Sequence, residues 1–175
     1  MKDEEVIVSK QISDDEVCIR CIYSPYHIDS KGKIKREALL PPKFQNDISL
    51  LRNKYMSLEK CVEHGHKIGD ENKKLFALAS ITRENVKKNN ETFGGEINAD
   101  IYYAPMNKGE YVDTQIDIYL NDSEVDLPAH ADLKYDHSLD EDELVKTNLR
   151  KYASSLVKKM QKIDIPKIPS PRCTR

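Results

Sequence analysis

Three runs between residues 97 and 135 alternate apolar and polar side chains. INADIYYA (97–104), YVDTQIDIYL (111–120) and VDLPAHADLKY (125–135) are separated by short, turn-rich connections. Period-two alternation sends successive side chains to opposite faces of a strand, so the runs predict an antiparallel meander over 97–135 with one buried face. With NDSE (121–124) as the second connection, Ile118 faces Leu127, Ile116 faces Ala129 and Val112 faces Leu133. A one-residue slip would set polar groups against that core, which fixes the expected register. The same register places Asp113 opposite Asp132 and Gln115 opposite His130. It also brings Asp100 and Asp117 to that second face.

Other segments carry clear local signals. EVCIRCIYS (16–24) is β-branched and stops before Pro25, which disfavours helix at Ser24. Ser57 is a candidate cap for a helix reaching Lys67 or Ile68, with Leu58, Cys61, Val62 and Ile68 on its buried stripe. LFALASIT (75–82) reads as a buried strand, and Thr82 caps a short helix over RENVKKNN. SLDE (138–141) has the capping-box pattern. Val145, Leu149, Tyr152, Leu156 and Met160 follow it as one helical stripe. Residues 24–54 have many turn signals and little periodicity, with DISLLR as the expected short element. The fold expectation is one α+β domain over 1–161. An antiparallel sheet of about four to six strands packs on a long C-terminal helix and one or two shorter helices. A Pro-rich, basic, extended tail covers 162–175.

Composition narrows the function classes. Charged residues make up 33% of the chain and mean hydropathy is −0.69, as for a domain with a very polar surface. The formal net charge is only −2, so whole-chain electrostatics selects neither nucleic acid nor an acidic partner. No apolar run is long enough to span a bilayer, so no membrane contact is expected. The acidic start, MKDEEVIVSK, lacks an apolar signal core. The expected location is therefore the cytoplasm, where the four cysteines stay reduced.

The candidate chemistry sits in three places. An antiparallel sheet often leaves one face to water, and the polar face of the meander fits that ordinary reading. Two opposed aspartates repel, however, unless a cation or a proton lies between them. Asp113, Asp132 and His130 are therefore the candidate catalytic or metal-ligating set, suited to Mg²⁺ or Mn²⁺, with His130 as base or ligand. The second place is the 24–54 segment, with seven Lys/Arg against three acids. Its Lys31, Lys33, Lys35 and Arg36 are candidates for phosphate or partner binding, although no Gly-rich phosphate loop accompanies them. The third is Arg20, the one charge inside an apolar strand, which needs a partner if buried or serves as an anion clamp near His27. Cys18-x-x-Cys21 with Cys61-x-x-His64 imitates a zinc set. In a strand, though, Cys18 and Cys21 point to opposite faces, and Cys61 falls on its helix's apolar stripe.

No recognised catalytic spacing is present. That favours a non-enzymatic accessory protein needing no cofactor, docked on a larger protein partner through the basic segment or the tail. The first alternative is a metal-dependent hydrolase or nuclease centred on Asp113, Asp132 and His130, acting on a phosphorylated or nucleic-acid substrate. The second is metal-free transfer on a nucleotide by Arg20, His27 and His130, which requires those three residues to converge.

Overall fold

A computed structural model describes residues 6–165. Strands β1 (Val17–Ser24), β2 (Asp47–Arg52), β3 (Lys74–Thr82), β4 (Ala99–Tyr103), β7 (His130–Tyr135) and β8 (Gln161–Asp164) form one antiparallel sheet in the order β4-β7-β2-β1-β3-β8. Two-residue strands β5 (Met106–Asn107) and β6 (Glu110–Tyr111) make a separate hairpin. Helices α1 (Leu58–Ile68), α2 (Arg83–Thr92) and α3 (Glu143–Val157) complete the α+β fold.

The central strands are apolar on both faces because both faces are covered. On one side, Cys18, Ile48, Leu50, Ile81, Leu133 and Tyr135 pack with Val86 of α2 and Leu149, Tyr152 and Leu156 of α3. On the other, Ile19, Cys21, Tyr23, Leu51 and Leu78 pack with Cys61 of α1. Ser57 and Thr82 cap their helices as their sequence context predicts, Ser57 accepting from the Lys60 N–H and Thr82 from that of Asn85. Polar groups join α2 to α3 as well. Asn89 donates to the Tyr152 carbonyl at 3.2 Å, and Tyr152 donates to Asn90 Oδ1 at 2.5 Å.

The meander differs from the expectation at its middle run. β4 pairs directly with β7, with Ile101 opposite Leu133 and Tyr102 opposite Asp132. Residues 104–129 leave the sheet, and of YVDTQIDIYL only Tyr111 belongs to a strand. Tyr119 bridges Ile7 instead, while Asp113 caps a local turn by accepting from the Gln115 N–H. The physical reason is parity. Alternation specifies which face a residue takes but not which strand lies alongside, and β4 offers β7 the same apolar face. Asp113 therefore does not oppose Asp132, and the positions flanking Asp132 are Ser49 and Tyr102. β7 is an inner strand, so the solvated-face reading also falls. His130 is 2% and Asp132 1% exposed.

Smaller corrections follow the same kind of competition. α3 begins at Glu143 with Asp142 as its cap, while Ser138 and Glu141 keep half of the expected box in the preceding turn, the Ser138 N–H donating to Glu141 at 3.0 Å. β8 takes Gln161–Asp164 into the sheet beside β3, so the first tail residues are a strand; from 166 onward the tail lies outside the described residues.

At the far end of β2, Arg52 is fully buried and holds the N-terminal segment. It meets Glu16 at 2.5 Å and 3.0 Å, donates to the Ser9 and Gln11 carbonyls, and lies between the Tyr55 and Tyr103 rings.

Candidate functional site

β1 and β2 pair only briefly. Cys18 opposes Arg52 and Ile19 opposes Leu51, and beyond that the strands part. Into the fork falls the chain between them, which folds back from Pro25 and returns through a 3-10 turn at Arg36–Leu39. The His27 N–H bonds the Tyr23 carbonyl and the Lys35 N–H bonds the His27 carbonyl, which fixes this loop across the fork. DISLLR, the one element expected in the 24–54 segment, is β2 itself.

The fork opens into a cavity of about 640 Å³, within the usual range for a small-molecule site. Its apolar wall includes Leu40, Leu51, Met106 and Leu127. Its polar lining is Arg20, His27, Ser49, His64, Lys67, Lys73, Asp126 and His130. Arg20, His27 and His130 all line this one cavity.

Arg20 is the half-buried group at the apex of the fork. Nε donates to the Ala38 carbonyl at 2.9 Å and Nη1 to the Ser49 carbonyl at 3.0 Å, linking the two diverging strands. Among the described residues it has no carboxylate partner, and burial lowers its proton affinity. His27 accepts the Tyr23 N–H at its Nδ1 over 3.2 Å. Burial, then the nearby Arg20 and Lys73 charges, pushes its imidazole down to about 3. Lys73 lies over the Tyr23 ring at 4.4 Å, on the same side of the cavity. This end is cationic.

The opposite end mixes imidazoles with carboxylates. Burial lowers the His64 imidazole, helped by His130 and Lys67 and opposed by Asp126. His130 Nδ1 lies 2.6 Å from the Ala104 carbonyl, which can only accept, so Nδ1 carries the hydrogen. Its Nε2 lies 3.7 Å from Asp132 Oδ1, and both atoms are enclosed without a hydrogen-bond partner. Asp132 Oδ2 accepts from the Tyr111 hydroxyl at 2.7 Å. Burial lowers the His130 imidazole and raises the Asp132 carboxyl from their ordinary values.

The remaining sequence candidates are dispersed. Lys31, Lys33 and Arg36 are exposed and Lys35 half-buried. The loop turns around Asp29, which accepts the Lys31 and Lys33 N–H groups. Asp113 is exposed, away from His130 and Asp132. Among the described residues no three His, Cys, Asp or Glu side chains are grouped to hold a metal. Cys18, Cys21 and Cys61 are buried free thiols, with Cys18 in a different cluster from the other two. No described helix is long and apolar enough to cross a membrane.

The sequence patterns do not single out Lys67, Lys73 or Asp126, and they show His64 only as a member of the imitation zinc set. One signal was available. Gly65 lies inside the apolar stripe of α1, where a Cβ would stand 2.8 Å from Leu75 and 3.2 Å from Cys21 Sγ. A glycine at such a position marks close helix–sheet packing, and that packing carries its neighbour His64 to the cavity. Comparison of the chain with family models, curated proteins and solved structures gave no match.

Proposed function

We propose that this protein acts on a small phosphorylated or similarly anionic organic molecule, of nucleotide size, bound in the fork between β1 and β2. The observation that carries this reading is Arg20, a half-buried guanidinium without a carboxylate, lining one cavity with Lys67, Lys73 and His27. A buried cation without a counter-charge is costly, and an anionic ligand offsets that cost. Arg20 clamps the anion and Lys67 and Lys73 add charge. Neutral His27 contributes a ring nitrogen, and the apolar wall takes the uncharged body of the ligand. The chemistry that fits is metal-free transfer, with His130 at the end where imidazoles meet carboxylates.

Calorimetric titration with nucleotides, sugar phosphates and their uncharged counterparts tests this. Phosphorylated compounds are expected to bind and neutral nucleosides or sugars to fail, with Arg20→Ala losing the difference. Equal binding of charged and neutral compounds would sink the reading.

A second reading rests on exposure. Lys31, Lys33 and Arg36 point to solvent on the loop that closes the fork, which keeps them available for docking on a larger protein partner. Neutralising these three residues is expected to weaken recovery of a defined partner while leaving phosphate binding unchanged. Recovery that survives the change counts against docking through this loop.

A further inference from the structure

Among the described residues, His130 and Asp132 form a buried polar pair beside the cavity with two facing atoms left unpaired. Nδ1 of His130 is committed to the Ala104 carbonyl and Oδ2 of Asp132 to the Tyr111 hydroxyl. What remains is Nε2 facing Oδ1 at 3.7 Å, both enclosed. A neutral imidazole presents a lone pair there, and an ionised carboxylate presents another. Two acceptors sealed together repel, so the stable arrangement has one proton between them. Either Asp132 is neutral and donates to His130, or His130 is cationic and donates to Asp132. The His130 ring is also part of the cavity wall, so a charge on it is felt by whatever the cavity holds.

We propose that His130 and Asp132 share a single proton, resident on Asp132 in the ligand-free protein and transferred to His130 when an anion enters the cavity. The proposal rests on the anion-binding reading above. In the transfer the Oδ1–H bond breaks and an Nε2–H bond forms, with no proton drawn from solvent. It requires the 3.7 Å gap to close to hydrogen-bond length, about 2.8 Å. Burial favours the neutral pair when no ligand is present, because it penalises both charges. A bound anion reverses the preference by attracting an imidazolium at the wall, while the Tyr111 hydroxyl holds the resulting carboxylate. The other titratable groups facing the pair are Asp47 from β2, His64 from α1 and Lys134 of β7 itself. Asp47 favours a proton on either member of the pair, Lys134 favours an ionised Asp132, and neutral His64 adds no opposing charge.

The test is ¹⁵N-histidine NMR on the full chain, with inorganic phosphate and then a nucleoside monophosphate as probes. In the free protein, His130 is expected to show a protonated Nδ1 and a bare Nε2, unchanged across the neutral pH range. At saturation Nε2 is expected to become protonated. In Asp132→Asn the local proton donor is gone, so His130 must take its proton from solvent. Phosphate affinity then falls about tenfold at neutral pH, equivalent to one unit of proton affinity, and recovers as pH is lowered. A merely structural role would give no such recovery. Tyr111→Phe, on the exposed hairpin, keeps the pair but weakens the carboxylate's support. It is expected to lower phosphate affinity severalfold, and it serves if Asp132→Asn does not fold. Binding with an unchanged Nε2, or Asp132→Asn and Tyr111→Phe both binding as the natural protein does, overturns the proton transfer alone. Absence of binding by both probes, read at the Arg20 and Lys73 amides, overturns the anion site and this proposal together.

Discussion

Arg52 and Arg20 stand on neighbouring strands, two register positions apart, and the sheet treats them in opposite ways. Arg52 pairs bidentately with Glu16, bonds two further carbonyls and is flanked by the rings of Tyr55 and Tyr103, with no surface left to water. Arg20 bonds two backbone carbonyls and has no counter-charge among the described residues. Where β1 and β2 are paired, the guanidinium is completed by protein. Where they part, it faces a cavity. A saturated guanidinium stabilises the fold, whereas one left without an anion is open to a ligand.

The largest test of this contrast is Arg52→Ala. It leaves Glu16 buried without its partner and is expected to cost about 3–5 kcal/mol in urea denaturation. Replacing Arg52 and Glu16 together by Met and Leu should recover most of that loss. A cost for Arg52→Ala as small as a surface pair's, below about 1 kcal/mol, would break the comparison. Arg20→Ala should behave in reverse. Phosphate binding weakens by about 1.5–3 kcal/mol, the worth of hydrogen bonds to a charged group, while stability changes by no more than about 1 kcal/mol.

Acid titration sharpens the difference between the two ends. His27, beside Arg20, is held down to about 3 in the folded protein against 6.5 when free. Between those values the unfolded chain binds the proton and the folded chain does not. Its contribution is therefore complete above pH 6.5 and is lost as pH falls towards about 3, at no more than about 1.4 kcal/mol per pH unit. His27→Gln should flatten that acid limb in chemical denaturation, and an unchanged limb would show that His27 does not generate it. The smallest effect is expected from Ser57→Ala. It removes the cap of α1 at a cost of about 1 kcal/mol in thermal unfolding. His64 and Lys67 lie in the later turns of that helix, so phosphate affinity should stay as it was.

Much of the architecture was legible because several signals agreed locally. At Ser57 and Thr82 a capping side chain preceded a helical pattern, and at LFALASIT an apolar run of strand length pointed to a buried strand. The meander was misread because its evidence was parity alone, which YVDTQIDIYL and INADIYYA satisfy equally as neighbours of HADLKY. The true second neighbour of β7 is β2, which lies far back in sequence, and no local pattern announces such a pairing. The site was legible in part. Arg20 stood out as a charge in an apolar strand, and His130 as a polar group in an alternating one. Asp132 was noticed for a repulsion with Asp113 that does not occur. Lys67 and Lys73 look like ordinary solvated lysines until α1 is packed on β1 and β3 beside the cavity.

The parting of β1 and β2 also bears on how the molecule moves. The fork divides the sheet into β4-β7-β2 and β1-β3-β8, joined by two residue pairs, by the Asn53 N–H on the Val17 carbonyl and by the reach of Arg20 from one strand to the other. Such a seam is where a sheet opens first, so amide hydrogens along its two edges should exchange earlier than those of β3. A ligand seated there touches both halves at once. It would act as a rivet across the seam, slowing exchange on strands it does not itself contact and making two half-sheets unfold as one.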